Sequence, residues 1–179
     1  MRGTVVEVLC ESKISKARVC RVHLPSGRSF ETPAFVAVGS NTLLKTVPPG
    51  LVPSFGAPTF INTYHMMVQP TVGVVEKLGG LHEMFNCRDR VLFTDSGGFQ
   101  VFSLSRRDAR DAKELKGACK RRFDGQPSLL LKISNHGVKF RSYRDGSELM
   151  LTPESSVAAQ QVFGADVILP LDELLPQDV

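Results

Sequence analysis

The stretch Val91-Leu92-Phe93-Thr94-Asp95-Ser96-Gly97-Gly98-Phe99-Gln100 decides how the chain is read. A short apolar run ends in a carboxylate, and two glycines follow at once. The run predicts a buried strand, and the glycines permit a tight turn beside a ligand. Working outward, the same arrangement recurs twice. Pro58-Thr59-Phe60-Ile61 leads into Asn62-Thr63-Tyr64-His65, and Val167-Ile168-Leu169-Pro170-Leu171 leads into Asp172-Glu173. Uninterrupted apolar strands predict burial on both faces, and hence a parallel α/β sheet. In such folds ligands sit at the carboxyl ends of the strands, which is where Asn62, Asp95 and Asp172 fall. The predicted fold is α/β, a (β/α)8 barrel of the TIM type. It is incomplete here, because 179 residues fall short of the roughly 200–250 of a closed barrel.

The flanking segments predict antiparallel decoration. Thr4–Leu9, Ala17–Leu24 and Ser29–Val38, the last interrupted by Pro33, read as extended structure. Thr46–Pro53 reads as a proline-rich loop or a short helical start. Thr71–Leu78 predicts a helix with Val72, Val75 and Leu78 on one face and Gly79-Gly80 as its stop. A charge-dense helix is expected near 105–116. Leu129–Ser134, Val138–Tyr143 and Glu148–Thr152 predict a β-meander that turns at Asn135-His136-Gly137 and at Asp145-Gly146. Thr152-Pro153 starts a helix expected to bury Val157, Ala158, Val162 and Phe163 and to stop at Gly164. The expected organisation is one domain over 1–179, with the basic segment and meander (105–152) inserted into it.

Net charge is +4, and residues 106–122 hold eight Lys/Arg against three acids. That patch suits a polyanion such as nucleic acid. It also fits a solvated helix, since Arg107/Asp111 and Arg110/Glu114 stand at i,i+4 spacing. Cys10, Cys20, Cys87 and Cys119 form no C-x-x-C pair, so no metal or redox motif is visible. The first sixteen residues alternate apolar and charged types without the apolar core of a signal peptide, and no stretch approaches the roughly 18 apolar residues of a membrane span. A reduced intracellular, non-membrane setting is expected.

Asp95 and Asp172 are candidates to converge on one heterocyclic base. Two carboxylates can accept hydrogen bonds from its ring N–H and amino groups, and one can carry a proton to or from a ring nitrogen. Gly97 and Gly98 would bring backbone N–H groups close, and Phe99 could offer a ring face. Either aspartate alone could instead be a helix cap. Asp-Ser-Gly-Gly evokes the nucleophile loop of chymotrypsin-like proteases, but Thr94 and Phe99 stand where those enzymes have glycine and proline. The G-x-S-x-G elbow of hydrolases is absent too. Ser96 is therefore read as a polar contact, and His65 as support for its loop. His23, His82 and His136 receive no function, and Met66-Met67 is read as packing.

These residues, taken together, closely resemble the tRNA-guanine transglycosylases, also called queuine tRNA-ribosyltransferases. The resemblance runs through Thr32–Phe35, Asn62–His65, Gly79–His82, Leu92–Leu104, Gly137–Gly146, Leu151–Glu154 and Gly164–Val167, in order. It implies a (β/α)8 barrel with a zinc-binding subdomain. It also implies exchange of the wobble-position guanine of tRNA for queuine or its precursor base, through a covalent tRNA–enzyme intermediate. By this resemblance Asp95 is the proton acceptor and holds the base. Ser96, Gly97, Gly98 and Phe99 complete that side of the pocket, Asp172 is the second base-recognising acid, and Asn62, His65 and Gln100 support them.

Several features depart from the family. Leu174 replaces a small residue, which favours a site shaped for queuine. The family's nucleophilic aspartate and its zinc ligands lie beyond Val179, so neither they nor any metal site is assigned to this chain. The expectation is an N-terminal piece of a cytoplasmic enzyme, homodimeric or heterodimeric when whole and inactive as this piece. The alternatives are a non-catalytic subunit of a transglycosylase heterodimer and another nucleobase-binding barrel enzyme.

Overall fold

A computed structural model describes residues 3–39, 44, 47, 58–98, 130–142 and 144–172. The expected loop at 46–53 falls almost entirely outside these residues. The charged helix near 105–116, the basic patch, Phe99, Gln100, Tyr143 and Leu174 lie wholly outside them.

The chain opens with an antiparallel sheet ordered β1 (Val5–Glu11), β2 (Arg18–His23) and β3 (Ser29–Thr32). The extended stretch predicted at 29–38 divides at Pro33. Ser29–Thr32 pairs with β2, whereas β4 (Ala37–Gly39) leaves for a different sheet. Proline has no N–H to donate, so the break falls where the ladder cannot continue. The single extended segment read over 29–38 is thus two short strands in different sheets.

The second sheet is parallel and positions the rest. Its order is β10 (Val167–Ile168), β6 (Leu92–Thr94), β5 (Thr59–Ile61), β4. Helices α1 (Thr63–Val68), α2 (Val72–Lys77), α3 (Leu81–Met84) and α4 (Pro153–Phe163) connect or flank these strands. Ile61 and Leu92 pack with Met66, Val75, Leu81, Ala159 and Phe163 into the main core. The other face is less covered than predicted. Phe60 and Phe93 stack there at 6.3 Å, and Phe30 meets Phe93 edge-on, but Val38, in register with Phe60, is 70% exposed. Among the described residues, burial is complete only on the helix side of the central strands β5 and β6.

The meander forms as read: β7 (Leu130–Ser134), β8 (Gly137–Arg141) and β9 (Glu148–Leu151) make a third, antiparallel sheet. Phe140 and Leu151 are fully buried against Tyr64 and Val68 of α1, with Leu171 beside them. Helix α4 has a reciprocal cap: Ser155 N donates to Thr152 Oγ1 at 3.0 Å, and Thr152 N to Ser155 Oγ at 2.8 Å. Its buried face differs from the expected one. Ser156, Ala159, Gln160 and Phe163 point inward, while Ala158 is exposed and Val157 and Val162 are half-buried.

Candidate active site at the strand ends

β5, β6 and β10 run in the same direction, so their carboxyl ends open on one side. Asn62 follows β5 directly and begins α1. Its Oδ1 accepts the His65 backbone N–H at 2.9 Å, which caps the helix, and its Nδ2 donates to Asp95 Oδ2. Thr63 adds a second grip. Its N–H donates to Asp95 Oδ1 at 2.7 Å and its hydroxyl to the Asp95 carbonyl at 2.5 Å. One side chain therefore both starts a helix and orients the carboxylate, so Asp95 is held by the neighbouring strand's loop.

Burial pushes the Asp95 carboxyl above its ordinary value. The Thr63 and Gly97 N–H groups, the nearby His65 and the Asn62 amide pull it back without cancelling the rise. Among the described residues, three N–H donors, from Thr63, Gly97 and Asn62, reach this carboxylate. A half-buried carboxylate of raised proton affinity can take up a ring proton.

Ser96 carries the link to Asp172. Its hydroxyl donates to Asp172 Oδ1 at 2.6 Å and accepts the Gly98 N–H at 3.1 Å. Gly97 takes φ +82°, and a Cβ there would stand 3.3 Å from Tyr64 N and 3.5 Å from Leu151 Cδ2. A Cβ on Gly98 would lie 2.6 Å from the Asp172 carbonyl oxygen, so any side chain would displace that segment. The two glycines thus let the turn nest between α1, the meander and the segment after β10. Asp172 itself is exposed.

The structure accordingly brings Asn62, Asp95, Ser96, Gly97, Gly98 and Asp172 together. It places the His65 backbone in the cap and its ring 5.5 Å from that of Tyr64. Phe99 and Gln100 fall outside the described residues. The sequence reading missed two contributors. The meander, read as decoration, forms a wall through Leu151, and Gln160 lies beneath the site. Gln160 was not singled out in the sequence, and the available signal was its i,i+4 spacing from Ser156 on the stripe of Ala159 and Phe163. His82, given no role, stands in a buried ionic cluster at the opposite strand ends, with Nε2 3.3 Å from Asp166 Oδ2.

Among the described residues no three His, Cys, Asp or Glu side chains gather to hold a metal, and no helix is long and apolar enough to cross a membrane. The sequence profile of the family described as queuine tRNA-ribosyltransferase matches residues 12–179. A queuine tRNA-ribosyltransferase of Protochlamydia amoebophila is 47% identical over 174 residues, covering 97% of this chain and 43% of that protein. Proteins of the same name from Chlamydia felis and Chlamydia muridarum are each 46% identical, over 170 and 171 residues. They are covered over 94% and 95% of this chain and 43% of their own lengths. The chain thus spans less than half the length of these relatives.

Proposed function

This chain belongs to the queuine tRNA-ribosyltransferase family, and we propose that it supplies the base-recognising part of a tRNA-guanine transglycosylase. The whole protein would exchange the wobble-position guanine of tRNA for queuine or its precursor, in the cytoplasm. In this reading β4, β5, β6 and β10 are strands of a (β/α)8 barrel that the remainder of the enzyme completes. That remainder would also bring the nucleophilic aspartate, the zinc ligands and the dimer contacts.

The supporting observation is the hydrogen-bonded chain Asn62–Asp95 and Ser96–Asp172, which holds two carboxylates around one glycine turn. Asp95 accepts the proton that the incoming base loses when its ring nitrogen displaces the nucleophilic carboxylate of the remainder from the ribose C1′. Asp172 and Ser96 accept and donate at the base edge, and Phe99 supplies a stacking face. The raised proton affinity of Asp95 suits that task.

The test is incorporation of labelled guanine into tRNA by the full-length protein. Asp95→Asn keeps the shape and removes the proton acceptor, so exchange should fall by at least about 100-fold. Exchange by Asp95→Asn at the rate of the unsubstituted protein would rule the assignment out.

A further inference from the structure

We infer that Gln160 is a positioning residue that sets the spacing of Asp95 and Asp172; the inference rests on the base-exchange reading above. Gln160 and Ser156 have no solvent exposure, although they sit on a helix whose inward neighbours Ala159 and Phe163 are apolar. A buried amide is retained without penalty only where its hydrogen bonds are met.

What meets them is the place where two strands part. β6 and β10 pair at Phe93/Val167 and Thr94/Ile168, and there the ladder ends. Gln160 takes over at the next residue. Its Oε1 accepts the Leu169 N–H at 3.1 Å, and its Nε2 donates to the Leu169 carbonyl at 2.8 Å. This is the two-point exchange that an opposed residue makes in an antiparallel ladder. On its other side Oε1 accepts the Thr94 hydroxyl at 2.8 Å, and Nε2 donates to Ser156 Oγ at 3.1 Å. The Ser156 hydroxyl in turn donates to the Ser96 carbonyl at 2.8 Å.

All four hydrogen-bonding positions of the amide are thereby used. They hold the residue before Asp95 directly, the residue after it through Ser156, and the backbone three residues before Asp172. The side chain acts as a wedge that lets the strands splay while their backbone groups stay satisfied. With the Ser96–Asp172 bond, it fixes residues 169–172 relative to 94–96 at two points. Gln160 itself touches neither carboxylate.

The test uses the full-length protein. Gln160→Met keeps side-chain length and removes all four bonds; Ser156→Ala removes the link to Ser96. Misplacing both carboxylates should raise the KM for guanine about tenfold in Gln160→Met and about threefold in Ser156→Ala, with tRNA affinity unchanged. A merely structural role would reduce the active fraction, lowering kcat and leaving that KM unmoved. Such a result, or a guanine KM within about twofold of the unsubstituted protein in both variants, overturns the inference. If Gln160→Met does not fold, Ser156→Ala decides by the same criterion. If the unsubstituted protein exchanges no guanine, the base-exchange reading fails and amide hydrogen exchange decides instead. Ser156→Ala should then speed exchange at 95–98 and 169–172 together, and unchanged rates in both segments overturn the inference.

Discussion

At the scale of single residues, Asp95 is governed by opposing influences of known sign. Burial raises its proton affinity, while Thr63, Gly97, His65 and Asn62 lower it. If the ionised form takes the base proton, kcat/KM should fall as pH drops through a value above that of an ordinary aspartate. Removing a lowering influence should move that limb further up. Asn62→Ala is therefore expected to shift the acid limb to higher pH, as is His65→Ala through loss of the nearby imidazole. A pH–rate profile of each variant checks this, and an unmoved or lowered limb contradicts it. The cluster was partly legible in the sequence because Asn62, Asp95 and Asp172 each end an apolar run. The order of dependence was not legible: no spacing rule shows that Asn62 caps α1 with one atom and holds Asp95 with another.

At the scale of elements, α4 joins the meander to the parallel sheet, so its start sets how Ser156 and Gln160 arrive under the site. Thr152 caps it through the Ser155 N–H. Thr152→Ala should therefore cost about 1 kcal/mol, read as a lowered urea midpoint with an unchanged m-value. An unchanged midpoint would show that tertiary packing alone holds the helix start. Local chemistry made this helix readable: Thr152-Pro153 at its start and Gly164 at its end are signals carried by single residues. Its buried face was misread because hydrophobicity favoured Val157, Ala158 and Val162, whereas the groove between β6 and β10 selects the amide of Gln160. That β4 leaves the first sheet was missed for a related reason. Three residues carry no periodicity of their own, and pairing with β5 decides which sheet they join. The meander was found in place, but its packing on α1 depends on Phe140 and Tyr64 meeting across 76 residues of sequence, with ring centroids 5.0 Å apart.

At the scale of the whole molecule, the parallel sheet has a working end and an opposite end, and the opposite end is tied down by charge. Asp166, just before β10, accepts from the Ser26 hydroxyl at 2.5 Å and from Arg28 Nη1 at 2.8 Å, both in the β2–β3 turn. It also accepts the Leu92 N–H at 2.9 Å at the head of β6, and His82 Nε2 of α3 stands 3.3 Å away. One carboxylate, 1% exposed, thus joins the N-terminal antiparallel sheet to two strands and a helix of the parallel layer. Burial alone would raise its proton affinity. The bonds from His82, Ser26, Leu92 and Arg28 outweigh that and hold it at about 2. An unfolded aspartate titrates near 3.9, so the folded value is depressed. The resulting stability is complete above about pH 4 and is lost as pH falls through about 2, an effect of about 2–3 kcal/mol. Asp166→Ala leaves Arg28 without its buried partner and should destabilise by about 3 kcal/mol at pH 7. Between pH 5 and 2 the variant should lose less stability than the unsubstituted protein, because the group that titrates is gone. Urea midpoints of both proteins across that range measure the difference, and parallel pH dependences would mean that Asp166 does not carry the link between the two sheets.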